Sequence, residues 1–301
     1  MSATGDSGPP PSTPDRLPIS HAIVLGAVQG PAELLPVSSS GHLVLVPCLL
    51  RWPYGKLDPE LRKSFEVALH AGGALALLIG LRREVADYVR SFRMHNAATL
   101  SLSFAPAALS AYAFERHIER RLGDPRVVAF ALLAGSAAMA VADGSPQRRS
   151  RDHATISDAL LIGIAPAFAL VPGVSRNGAT LTAARGLRFR RADANVISRQ
   201  IALPVIIGAA GLKGLRLARR DLPAPVVRAM GAGAASAFAS TLASLRLIAM
   251  LERSRSLLPY ALYRAGLAAV TLTILRRRTR RRRPVSVPAV QPPERVLAGV
   301  R

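Results

Sequence analysis

The stretch "ELLPVSSSGH" at residues 33–42 gathers a carboxylate, three hydroxyls and an imidazole, and "PGVSRNGAT" further along adds a guanidinium. Gln29 and Glu33 are four residues apart and fall on one face of a helix; Ser39 and His42, three apart, fall on one face of the next. Facing one pocket, these groups form a nucleophile, Ser39, with Glu33 or His42 as its base. Arg176 contributes a planar fork of donors suited to phosphate oxygens. Ser38, Ser40, Ser175 and Asn177 add neutral hydrogen bonds, and Gly178 admits a close backbone. Each group also has a structural reading: Glu33 paired with Arg176, the serines as helix caps, His42 bonded to a freed carbonyl.

The elements that must carry these groups are interrupted helices. Pro36 has no N–H to give and clashes with the preceding turn, so a helix should stop near Leu35. The serines that follow favour N-cap positions, so a short helix restarts at once and its free N–H groups point at an anion. "VSSSGH" (37–42) and "VSRNGA" (174–179) share V-S-x-x-G, each shortly after a proline, Pro36 or Pro172. Such paired interruptions mark inverted-repeat membrane folds, in which broken helices build a site near the midplane. Irregular backbone at that depth survives only inside protein or beside a watery cavity. The expectation is an all-α polytopic membrane protein, an inverted-topology repeat with two re-entrant (broken) helix pairs.

Composition agrees. The 301-residue chain is 50% hydrophobic with a mean hydropathy of +0.26, too apolar for a soluble domain of its charge. Weakly charged runs at 65–81, 98–114, 126–142, 156–171, 226–245 and 258–275 approach spanning length and are filled with small residues that let helices pack closely in lipid. The net charge of +22 sits between these runs, where it suits anionic headgroups; with only 5% aromatics there is no stacking platform for bases, so nucleic acid is excluded as a partner. Every loop is basic, and only "RRRTRRRR" argues for a cytoplasmic C-terminus. Cys48, the single cysteine, rules out an internal disulfide and a cysteine metal cluster. Residues 1–16 read as a disordered arm, 17–276 as one membrane domain and 277–301 as a basic, Pro-rich tail. Glu66 and His70 form a second polar pair, read as structural or as support for the site; Arg199 and Gln200 have no account in the sequence.

"VQGPAELLPVSSSGHLVL", "FEVALHAGGALALLIGLRR", "PGVSRNGAT" and "LPYALYRAGL", in that order over roughly residues 17–275, resemble the signatures of undecaprenyl-diphosphate phosphatases of the bacitracin-resistance type. The resemblance implies an enzyme of the bacterial cytoplasmic membrane that hydrolyses undecaprenyl diphosphate to the monophosphate carrier, with a site opening toward the extracytoplasmic side. It implies catalytic roles for Glu33, Ser39, His42 and Arg176, and a divalent cation, magnesium or calcium, held by Glu33 and Gln29. A homodimer is compatible with it. Gln29 stands where many members have a glutamate, and Asn177 where the second motif usually has serine. Water attack without a covalent intermediate remains open, and the rival function is a translocase of a prenyl phosphate with little hydrolysis.

Overall fold

In a computed structural model, residues 17–90, 122–220 and 222–281 are described. The arm at 1–16, the run at 98–114 and the tail beyond 281 lie outside the described residues. Regular structure among the described residues is helical: α1 (Ile19–Leu34), α2 (Ser39–Leu49), α3 (Pro59–Gly80), α4 (Arg82–Arg90), α5 (Pro125–Asp143), α6 (Ile156–Phe168), α7 (Arg176–Gly186), α8 (Arg191–Ala218), α9 (Ala224–Ala243), α10 (Arg246–Arg253) and α11 (Leu258–Arg281). Pro125–Asp143, Ala224–Ala243 and Leu258–Arg280 are long and apolar enough to cross a bilayer, which makes the chain a polytopic membrane protein.

Two sequence expectations change here. The run at 156–171 yields a helix of 13 residues that ends at Phe168, too short to span. Conversely, α8 is a helix of 28 residues that no uncharged run announced. Its charge is compensated: Arg199 Nε lies 3.0 Å from Glu84 of α4, and its Nη1 pairs with Glu252 of α10. The proposed tail boundary also falls inside a helix, because α11 continues to Arg281. There Arg278 donates to the carbonyls of Cys48 (2.9 Å) and Leu49 (3.3 Å), capping the C-terminus of α2 with positive charge.

Small residues set the close packing of α1, α3 and α9. The hydroxyls of Ser236 and Ser240 donate to the carbonyls of Ile23 (2.7 Å) and Ala27 (2.5 Å), so α1 and α9 run parallel with touching backbones. At the far end of α5, buried Asp143 accepts from Arg191 Nε (2.6 Å), Ser256 Oγ (2.8 Å) and the Leu257 N–H (2.8 Å), joining the starts of α8 and α11. Fully buried Arg185 of α7 donates to the Asp143 carbonyl there (3.1 Å).

The two broken pairs are built alike. α2 and α7 have 11 residues each, start after a serine N-cap and end in Leu-Arg-aromatic, with Arg51 (φ 58°) and Arg188 (φ 66°) both left-handed. One constant interval separates Ile19 from Ile156, Ser39 from Arg176, and Leu49 from Gly186. The outer ends of α1 and α2 meet where His21 stacks on Trp52 (3.8 Å). Those of α6 and α7 meet where Arg149 lies over Phe189 and donates to Asp158 (2.5 Å). α5 starts near the outer end of α2, where Arg126 donates to Thr279 beside the Arg278 that caps α2, and ends at Asp143 beside Arg185 of α7. The outer ends of the two hairpins therefore lie at opposite ends of α5, and their tips meet between them.

A Cβ on Gly30 would sit 2.5 Å from Ser240, whereas one on Gly55 would meet nothing within 4 Å. Gly30→Ala should therefore destabilise the protein by about 1–3 kcal/mol through overpacking, and Gly55→Ala should not. Thermal unfolding in detergent checks the difference.

Candidate active site

Glu33 stands in the last turn of α1, which ends because Pro36 interrupts the backbone ladder; its side chain is 7% exposed. Its Oε1 accepts from Arg176 Nη2 of α7 at 2.6 Å. Its Oε2 accepts from Ser39 Oγ at 2.6 Å and from Gln29 Nε2 at 3.2 Å. His70 of α3 brings Nε2 to 3.7 Å from the same oxygen. One carboxylate thus joins the tips of both hairpins and holds a serine hydroxyl in a short, charge-assisted hydrogen bond.

The tips are two helix starts. Ser38, at φ 77°, turns the chain into α2 and caps it by accepting from the Gly41 N–H (3.2 Å); Ser175 does the same for Gly178 (3.1 Å). First-turn N–H groups have no acceptor within their helix, so those of Ser39, Ser40, Arg176 and Asn177 are the partial positive ends of two helices brought together. Asn177 donates to the Leu34 carbonyl (3.0 Å) and accepts from Ser198 of α8 (2.7 Å), a span that the shorter serine expected at this position cannot bridge.

Beneath the tips lies Arg264 of α11, 1% exposed. It donates toward the carbonyls of Pro36 (3.5 Å) and Gly173 (3.3 Å), one freed by each helix break. A Cβ on Gly178 would sit 2.9 Å from its Nη1. No carboxylate among the described residues pairs with it, so its charge adds to the positive potential of the tips.

His42 is oriented by two bonds. Its Nδ1 lies 2.7 Å from the Ser38 carbonyl and its Nε2 2.8 Å from the hydroxyl of Tyr263. A carbonyl only accepts, so Nδ1 carries the proton. His70 is held the same way, Nδ1 donating to the Glu66 carbonyl at 2.7 Å.

The structure brings Gln29, Glu33, Ser39, Arg176 and Asn177 into one connected group. Of the two bases open to Ser39 in the sequence, the hydroxyl bonds Glu33, while His42 turns to Tyr263. Ser38 and Ser175 are buried and cap the two helix starts, and Gly178 lies against the Arg264 guanidinium. Ser40 lies beside Ser38, with 3.4 Å between their hydroxyls. Tyr263 and Arg264 are added to this group by the structure; their signal in the sequence is their place in the late "LPYALYRAGL" stretch, which assigns them no role.

For a divalent cation the group offers the Glu33 carboxylate and the Gln29 amide oxygen, which is buried without a hydrogen-bond partner. No cluster of three or more His, Cys, Asp or Glu side chains suited to a metal occurs among the described residues. Hard oxygens of this number fit an ion that takes most of its ligands from phosphate and water, not one caged by protein.

Residues 22–270 match the family model described as bacitracin resistance protein BacA. The chain is 38% identical over 270 residues to an undecaprenyl-diphosphatase of Geobacter sulfurreducens, an alignment covering 85% of this chain and 98% of the relative. It is 36% identical over 270 residues to an undecaprenyl-diphosphatase of Pelobacter propionicus (84% and 97% covered). It is 34% identical over 267 residues to one of Campylobacter curvus (85% and 98%).

Arg264→Met keeps the volume but leaves the carbonyls of both breaks unpaired. It should lower stability by about 1–3 kcal/mol for each carbonyl orphaned and reduce activity together with it. A melting temperature equal to that of the wild type would show that the carbonyls do not depend on the guanidinium.

Proposed function

The chain belongs to the bacitracin-resistance BacA family, and from that premise we propose that it hydrolyses undecaprenyl diphosphate to undecaprenyl phosphate and inorganic phosphate, recycling a cell-wall lipid carrier. The observation that carries this reading is the Ser39–Glu33–Arg176 chain set between two helix starts. A translocase needs phosphate-binding donors but has no use for a hydroxyl bonded to a buried carboxylate.

In this mechanism the terminal phosphate rests on the free N–H groups at the starts of α2 and α7, with Arg176 turned to its oxygens. Ser39 Oγ attacks the terminal phosphorus in line with the bridging oxygen, and its proton passes to Glu33. The bridge bond breaks, and its electron pair leaves on undecaprenyl phosphate. Arg176 and the N–H groups hold the charge that develops on the equatorial oxygens. A divalent cation entering with the diphosphate would be held by Glu33 and Gln29 and would supply further charge neutralisation. Gln29 brings no negative charge, so that hold is weaker than a carboxylate pair would give.

We place the protein in the bacterial cytoplasmic membrane, with α1–α2 and α6–α7 as the re-entrant pairs of an inverted repeat and the site open to the extracytoplasmic side. The matched lengths, caps and opposite entry of the two hairpins support the repeat. The prenyl tail needs no polar recognition and lies among the helices in the bilayer.

Phosphate release from undecaprenyl diphosphate by the purified protein tests the proposal. Ser39→Ala should be inactive, and Glu33→Gln should lose on the order of 100- to 10,000-fold. Ser40→Ala should retain most activity. Arg176→Lys should lose on the order of 100-fold although the charge stays, because an ammonium has no planar fork. Chelator should slow turnover, and Gln29→Glu should lower the magnesium or calcium concentration needed for half-maximal rate. Equal rates in Ser39→Ala and Ser40→Ala would overturn the nucleophile.

A further inference from the structure

Tyr263 has a contact that the Ser39–Glu33–Arg176 chain does not account for. It is 51% exposed on α11, yet its hydroxyl reaches in to His42, which is only 5% exposed. The two ring planes are 7° from parallel with centroids 5.7 Å apart, and the Tyr263 hydroxyl lies 2.8 Å from Nε2. With Nδ1 committed as donor to the Ser38 carbonyl, Nε2 of the neutral ring can only accept. His42 is therefore a base in waiting, and Tyr263 is its link to the outside. Ser39 makes no use of it, because its own hydroxyl already bonds Glu33.

A reaction through Ser39 needs a base twice: once for the serine and once for the water that frees phosphate from it. We propose that Tyr263 relays the proton of that water to His42, the base for the second step, while Glu33 serves the first. In that step water oxygen bonds to phosphorus, the Ser39 Oγ–phosphorus bond breaks, and the serine oxygen takes back the proton held by Glu33. The water proton passes to the Tyr263 oxygen as the Tyr263 proton passes to His42 Nε2, and the proton is returned to solvent through the same hydroxyl. Arg264, the charged neighbour of His42 on α11, is committed to backbone carbonyls and takes no proton.

This rests on the diphosphatase reading, so the experiment separates the two. Wild type, Tyr263→Phe and His42→Gln, each checked for a cooperative melt, are mixed with undecaprenyl diphosphate labelled in the terminal phosphate and quenched over time. Free undecaprenyl phosphate and label bound to Ser39 are then measured. Tyr263→Phe should release the first equivalent of undecaprenyl phosphate at a rate near that of wild type. Its steady-state turnover should fall by roughly 100-fold, with label accumulating on Ser39. His42→Gln should accumulate the same label. Loss of both phases in parallel, or no bound label in either variant, would overturn the role given to Tyr263 while wild-type turnover still supports the diphosphatase. A wild type that releases no undecaprenyl phosphate would overturn the diphosphatase reading itself.

Discussion

The arrangement depends on one buried ion pair. Glu33 and Arg176 come from different hairpins, and their contact at 2.6 Å, with the bond from Asn177 to the Leu34 carbonyl, closes the tips on each other. Burying a carboxylate in a membrane protein is expensive unless its lone pairs are filled, and Glu33 fills them with three donors from three positions in the chain. The same saturation that makes the charge tolerable fixes the Ser39 hydroxyl. Stability and reactivity here share one atom, Glu33 Oε2.

Charge balance explains why such a site should attract a diphosphate. Glu33 neutralises Arg176, but among the described residues Arg264 donates to carbonyls and pairs with no carboxylate, and two helix starts add their partial charges in the same place. The tips therefore carry a net positive potential in a low-dielectric setting, where it is screened little. Arg264 holds both breaks open from behind without being consumed by a carboxylate. Substrate charge is what completes the balance, and Arg176 can then move from Glu33 to phosphate without leaving an unpaired cation.

Local features of the chain were legible in the sequence and long-range ones were not. Pro36 and the serines gave the break after α1, and the spacing of Gln29 and Glu33 gave their shared face. The composition of "PGVSRNGAT" gave Arg176 and a second break. The i, i+3 spacing also offered His42 to Ser39, but a carboxylate one helix away makes the stronger bond, and no spacing rule reports it. His70, Tyr263 and Arg264 join the site from α3 and α11, across hundreds of residues in the case of Tyr263 and His42. Arg199 looked anomalous for the same reason: its partners Glu84 and Glu252 lie on two other helices, and a hydropathy scan sees only the charge.

Likeness of backbone and unlikeness of side chains together account for the chemistry. The position that holds Ser39 in the first hairpin holds Arg176 in the second, and Ser40 is matched by Asn177, while the caps Ser38 and Ser175 and the glycines Gly41 and Gly178 are the same. What is kept is what builds a helix start; what differs is the side chain that each start presents at the tip. Two identical serine tips would supply hydroxyls but no fork for phosphate, and two arginine tips would repel each other across the gap. The asymmetric pair places a hydroxyl and a guanidinium on opposite tips, with Glu33 bonded to both between them.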